Sequence, residues 1–357
     1  MLSNEIKEQI AHEVIRTLYS RFENFPENAN DNRNAPFHEA FLNAFSEKLA
    51  NHVTDIPYFI SLASWLHGLN TTLGQSFFEN VANILSNGYK KPFTVKYNSL
   101  LKIHSHQKQQ ISEIITNLKN ANLTPNLNDE NNLLFDNELS PNIDANNFTV
   151  DVFYESDEEI IAIELKSVRP NAGEMRGEKQ KILEAKSALF FEYPDKTIKY
   201  YIGFPFDPTS EVDIEYDKTR FLNYLIDGNK YFAHDEVLLS NELWDYLSDD
   251  TNTMKQILYI INSIATPQFM NYYNLINNFN NIENETDEYL RILENWYQFN
   301  EKKIVQNYSK IKDIIEDNSR LNRKFKQPLF KKDKYNVSRK DALLRFIINY
   351  KEQPWKK

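Results

Sequence analysis

FTVDVFYE (148–155) and IIAIELKSV (160–168) are two β-rich runs separated by Ser156-Asp157-Glu158-Glu159. The pair predicts a β-hairpin. Alternation along the second run puts Ala162, Glu164 and Lys166 on one face and Ile161, Ile163 and Leu165 on the other. In the first run Asp151 stands between Val150 and Val152. Charged groups inside apolar strands lose solvation unless they face a site. Neighbouring strands lie about 4.8 Å apart, so Asp151 and Glu164 can converge on one ion. A helix over 174–192, entered after Pro170 and Gly173, and a strand over 199–206 (KYYIGFPF) complete a β-β-α-β order. The fold class is α/β (α+β).

Two carboxylates form a hard oxygen site suited to Mg²⁺. Such an ion polarises a phosphoryl oxygen and acidifies a bound water. Lys166, on the same face, can orient that water or stabilise charge building on a phosphate. The spacing D-x(12)-E-x-K is therefore one that phosphodiester hydrolysis can use. E-x-K alone is weak evidence, since it also occurs at Glu5, Glu184 and Glu301 in helical patterns. Only Glu164-Leu165-Lys166 lies on a β-run behind another β-run carrying Asp. An edge hairpin with solvated charges would alternate in the same way, and that alternative stays open here.

Arg169, Arg176, Lys179 and Lys181 cluster after Lys166 and are candidate phosphate contacts, against an alternative of a mixed-charge solvated helix face. Glu79, in TTLGQSFFENVANIL, sits among apolar residues of a helix capped by Thr71 or Thr72 and could complete a metal site, or be an ordinary surface Glu. His104 and His106 lack a third ligand nearby and read as a loop or surface pair. Tyr200, Tyr201, Phe204 and Phe206 read as core.

Working outward, apolar spacing predicts helices over 3–23, 37–50, 56–68, about 71–86 and 107–119, with mainly loop over 123–147. After about residue 215 the pattern is again mostly helical. With 357 residues, about two domains are expected. They are read as 1–215, a core with N-terminal helices, and 216–357, a mostly helical region. No Cys is present, which excludes disulfides, Cys-ligated zinc, iron–sulfur clusters and a Cys nucleophile. The seven Gly never take the spacing of a P-loop or dinucleotide fingerprint. No apolar run is long enough for a membrane span and the N-terminus is charged, so a cytoplasmic protein with no membrane partner is expected.

Asp151, Glu164-Leu165-Lys166 and the β-β-α-β order resemble the PD-(D/E)xK nuclease superfamily. IELKSVRPNAGEMRGEKQKILEAKSAL, YYIGFPFDP (200–208) and the TTLGQSFFE helix (71–79) are similar to the TdeIII family of type II restriction endonucleases. The resemblance spans roughly 35–215. It implies a restriction-endonuclease-like core, with a central mixed β-sheet flanked by helices. It also implies Mg²⁺-dependent cleavage of double-stranded DNA at a short palindrome, suggesting a GGNCC-type site. By motif match Asp151 and Glu164 become metal ligands and Lys166 the catalytic lysine, with Glu79 as a further ligand. Val150, rather than Pro, precedes Asp151. A cognate DNA methyltransferase is the functional partner implied. A repair or structure-specific nuclease of the same fold, and a non-catalytic DNA-binding protein, are the competing functions.

The formal net charge of −10 looks adverse to a nucleic-acid partner. Residues 302–357 nonetheless carry 17 Lys+Arg against 6 Asp+Glu, or +11, leaving −21 for the remainder. Lys331 and Lys332 lie within this basic tail and are candidate phosphate contacts. A palindromic target favours a two-fold homodimer.

Overall fold

The structure is a computed structural model that describes residues 1–26, 36–50, 52–53, 55–136, 140–167 and 172–352. It divides into two compact units, 1–2 with 74–256, and 3–73 with 257–357. Among the described residues no helix is long and apolar enough to cross a membrane.

The first unit is built on a sheet. Its strands are β1 (Tyr89–Phe93), β2 (Lys102–His104), β3 (Asn142–Asp144), β4 (Phe148–Glu155), β5 (Glu159–Leu165), β6 (Thr197–Phe204) and β7 (Val237–Leu239). The main sheet has the order β1-β4-β5-β6-β7, and β2 pairs with β3 separately. β4 and β5 form the expected hairpin, in register through Val152↔Ile163 and Phe153↔Ala162. Its turn is held by Ser156, whose hydroxyl accepts from the amides of Glu158 (3.3 Å) and Glu159 (3.1 Å). β5, β6 and β7 run parallel, so the sheet is mixed.

The helix Ala172–Glu192 makes the crossover between the parallel strands β5 and β6. Its composition, rich in Ala, Leu, Glu and Lys, favours helix. Met175, Ile182, Ala185 and Leu189 are fully buried in one core with Ala162, Tyr200 and Ile202. The opposite face carries a tyrosine group, Tyr201 stacking edge-on with Tyr246 at 5.3 Å. The helix Asn241–Ser248, which carries Tyr246, is anchored by Trp244, whose indole N–H donates to the Pro205 carbonyl at 2.8 Å. With both faces covered, β5 reads as an almost unbroken apolar run.

Two segments depart from expectation. Within the stretch 123–147, expected to be mainly loop, lie a helix, Leu127–Leu134, and strand β3. Its many Asn and Asp residues act as caps, Asn126 Oδ1 accepting from the Asp129 amide at 3.1 Å, while Leu134 supplies buried surface. β1 carries no recognisable strand pattern because its sequence is Tyr-Lys-Lys-Pro-Phe. Pro92 is tolerated since β1 is an edge strand.

The second unit is helical. Its longer helices are Asn4–Phe22, Ile56–Thr72, Phe299–Asp317 and Val337–Glu352, with a small hairpin of β8 (Phe330–Lys331) and β9 (Lys334–Tyr335). Thr71 and Thr72 do not cap a new helix. Their hydroxyls donate back to the carbonyls of His67 (3.0 Å) and Gly68 (2.9 Å), and the chain continues through a π-helical turn, Leu73–Phe77. Trp296, Tyr289, Ile10 and Ile304 form part of the apolar interior, and Arg339 is buried beside Glu301.

Phe153 is fully buried in β4 and packs its ring on those of Tyr89 and Phe93 at 5.7 and 5.9 Å. Phe153→Ala is expected to destabilise the protein by about 3–5 kcal/mol in urea unfolding. A loss below about 1 kcal/mol would place this ring outside the core.

Candidate active site

A β-bulge sets the position of the first carboxylate. Tyr89 pairs with Phe153 and Lys91 with Val150, so two β4 residues, Asp151 and Val152, stand against the single Lys90. Such a bulge re-aims a side chain next to a site. It also lets Val150 and Phe153, three residues apart, both enter the core. Asp151 Oδ2 accepts from the backbone N–H of Leu165 at 3.0 Å, which ties its carboxylate to the end of β5.

Glu164, on β5, is only 5% exposed. Its Oε1 lies 3.2 Å from the Lys166 ammonium and its Oε2 lies 2.7 Å from that of Lys181. Lys166 also reaches Glu178 at 2.8 Å, and Glu178 and Lys181 stand one turn apart on the 172–192 helix. Burial is the largest influence on Glu164 and raises its pKa; Asp151 adds to the rise, and Lys181 and Lys166 oppose it without cancelling it. For Lys166 burial pulls the pKa down, but Glu164 and Glu178 outweigh it, so the net shift is upward. Lys166 is therefore an ammonium at neutral pH.

Glu79 joins from the other side. It lies in the first turn of the helix Phe78–Ser86, and its Oε2 contacts Lys90 at 2.6 Å. Lys90 in turn contacts Asp151 Oδ1 at 3.3 Å. Asn83 fixes this helix to β4 by donating to the Asp151 carbonyl at 3.1 Å. At Gly74 the backbone comes so close that a Cβ would lie 2.4 Å from Ser167 Oγ, one residue past Lys166. Glycine is what permits that approach.

Asp151, Glu164, Lys166 and Glu79 are thus brought together, with Lys90, Glu178 and Lys181 interleaved. Lys90 escaped sequence reasoning because its strand did; Glu178 and Lys181 carried a signal in their i, i+3 spacing just after the E-x-K run. Tyr200 is a further member. It is fully buried, and its hydroxyl has no hydrogen-bond partner among the described residues. Its pKa is raised by burial first, then by Glu164, Asp151 and Glu178.

The expected DNA contacts fare differently. Arg176 is exposed on the 172–192 helix. Lys179 is corrected from a phosphate contact to an interior residue. It falls in the stripe Met175, Lys179, Ile182, Lys186, Leu189, is fully buried, and pairs at 2.6 Å with both Glu130 and Glu236. Arg169 lies outside the described residues. Lys331 and Lys332 are exposed on the hairpin of the second unit, where Lys332 takes a left-handed turn conformation (φ 59°). His104 and His106 are half-buried rather than loose: they bond Ser140, and His106 Nε2 meets Asp136 at 2.7 Å. Tyr200 and Phe204 are core, whereas Phe206 is 39% exposed.

The donor set fits a divalent cation. Lys90 already places a positive charge between Glu79 and Asp151, on a half-exposed side chain. Among the described residues no three carboxylates or imidazoles converge on one point. Asp151 and Glu164 therefore offer a pair, which suits an ion that keeps several waters and takes phosphate oxygens.

Residues 2–265 match the family described as type II restriction endonuclease, HinfI. The chain is 42% identical to the type II restriction enzyme MjaII of Methanocaldococcus jannaschii over 373 residues, covering 99% of this chain and all of that protein. No solved structure matches. The resemblance drawn from the motifs holds at the level of type II restriction endonucleases, with HinfI rather than TdeIII as the matching family.

Burial raises the pKa of Glu164, so a cation that binds there competes with the proton over a higher pH range than at a free carboxylate. Affinity for a divalent ion is expected to weaken as pH falls through that raised pKa. Calorimetric titration with Ca²⁺ in two buffers of different ionisation enthalpy should show proton release, abolished by Glu164→Gln. Affinity and buffer-independent heats that stay the same at every pH down through the titration of Glu164 would remove it from the metal site.

Proposed function

We propose, for a chain that belongs to the HinfI family of type II restriction endonucleases, that Asp151, Glu164 and Lys166 cut the phosphodiester bond. The protein is a site-specific deoxyribonuclease acting on double-stranded DNA. Enzymes of this class use a divalent metal, and we take Mg²⁺ as the ion here. Asp151 and Glu164 would hold it, with Glu79 reaching it once Lys90 withdraws. When bound, Mg²⁺ supplies Lewis acidity and a more acidic water. The observation that carries this reading is the tie between Asp151 Oδ2 and the Leu165 amide, which fixes one carboxylate beside the Glu164–Lys166 pair.

The chain's own groups have separable tasks. Lys166, charged at neutral pH, stabilises the negative charge that grows on the phosphate. Glu178 holds Lys166 from the crossover helix and limits its rotamers. Lys181 offsets part of the charge on Glu164 before substrate arrives. Tyr200 places an apolar ring and an unspent hydroxyl behind the carboxylates.

A short palindrome is the proposed target, of GGNCC type by the motif resemblance, cut by a homodimer in which each subunit cleaves one strand. A cognate DNA methyltransferase would protect the host's own sites, and the cytoplasm is the compartment in which both would act. The helical region after residue 215, with its basic tail, is proposed to serve DNA binding or dimerisation.

Plasmid incubated with Mg²⁺ should give discrete fragments, and sequencing their ends reads out the site. Asp151→Ala is expected to reduce the rate by at least about 10²-fold, the scale for removing one charge-stabilising group. Undiminished cutting by that variant would exclude the assignment. For the tail, Lys331→Ala with Lys332→Ala should flatten the dependence of log affinity on log salt by about 0.9 for each phosphate that is no longer neutralised. An unchanged slope would mean that neither lysine touches DNA.

A further inference from the structure

Beside the carboxylate cluster lies an open cleft of about 250 Å³. Asn147 and Phe148 border it on one side, and Gly177, Gln180 and Lys181 of the 172–192 helix on the other. Its base is rigid: Glu184 accepts from the Asn146 amide at 2.7 Å, from Asn146 Nδ2 at 2.8 Å and from Lys108 at 2.7 Å. Gly177, Gln180, Lys181 and Glu184 share one helix face by their i, i+3, i+4, i+7 spacing. Lys181 leads directly to Glu164.

Gly177 has no internal reason to be glycine. It has no positive φ, and beyond its own helix backbone and chain neighbours no described atom lies within 4 Å of the position a Cβ would take. Glycine inside a helix costs stability relative to alanine, so the fold would gain from almost any replacement. What glycine does offer is close access to the backbone for a group that is not part of the chain. Gln180, one turn on, is exposed. A glutamine amide pairs bidentately with a base edge. Arg176 is exposed four residues before Gln180, on the same stripe, within reach of a flanking phosphate.

We propose that DNA lies directly against the crossover helix at Gly177, and that Gln180 reads a base edge in the cleft beside the cutting site. This rests on Asp151, Glu164 and Lys166 being that site. It makes the helix a reader as well as a scaffold, so that base recognition and the Glu178–Lys166 contact are carried by one rigid element.

The test separates stability from binding. Gly177→Leu is expected to melt at or above the parent temperature, yet to bind a duplex carrying the cleaved sequence at least tenfold more weakly in fluorescence anisotropy. Parent-like binding would overturn the proposal, and so would a lowered melting temperature, which would show that the fold itself needs glycine. Gln180→Ala should relax selectivity at one position, raising relative cleavage of duplexes substituted there about tenfold or more. A uniform loss across all duplexes, or no change, removes base reading from Gln180. Anisotropy is run without cleavage, on the Asp151→Ala background. Failure of the catalytic assignment then appears in the plasmid assay, and failure of this proposal in binding.

Discussion

Carboxylates at the end of a sheet covered on both faces need compensating positive charge, and that need organises the first unit. Removing an isolated carboxylate from water is costly, and it persists only when paired or when its proton is retained. Here the answer is alternation: Glu79, Lys90 and Asp151 on one side, Glu164, Lys166, Lys181 and Glu178 on the other. The pairing is incomplete at Glu164, which still binds its proton more tightly than a free carboxylate. A site left short of positive charge in this way is what the proposed divalent cation would answer.

The crossover helix answers the same constraint twice. Its core stripe carries two lysines, Lys179 and Lys186, which are buried and neutralised by Glu130 and Glu236. Burial lowers the pKa of Lys186 to about 8 despite the nearby acids. A quarter turn away, Glu178 and Lys181 address Lys166 and Glu164. One helix therefore fixes the interior and the site together, and its rotation is pinned by ion pairs on two faces. Such buried pairs contribute specificity of arrangement more surely than net stability.

The hairpin and its three charged residues were legible because period-two alternation, an Asp between valines and an E-x-K on a strand are local patterns. The basic tail was legible once charge was counted by segment. Lys179 was misread because it was judged by its charged neighbours in sequence; its spacing from Met175 and Ile182 already put it on the apolar stripe. β1 was invisible because Lys-Lys-Pro hides an edge strand, and with it went Lys90. The helix inside 123–147 was hidden because Asn and Asp signal caps and loops alike.

The sequence by itself determined which side chains could do chemistry, their order along a β-β-α-β chain and the absence of thiolate or glycine-cradle alternatives. Tertiary structure decided which of them meet. A bulge turned Asp151 toward the end of β5, a glycine let the Glu79 segment close on Ser167, and a parallel crossover carried Glu178 and Lys181 to Lys166 and Glu164. The physical reason is that alternation and helical period are properties of neighbours in the chain. Charge compensation in a buried site depends on distance in space, which only the packed sheet and its helices set.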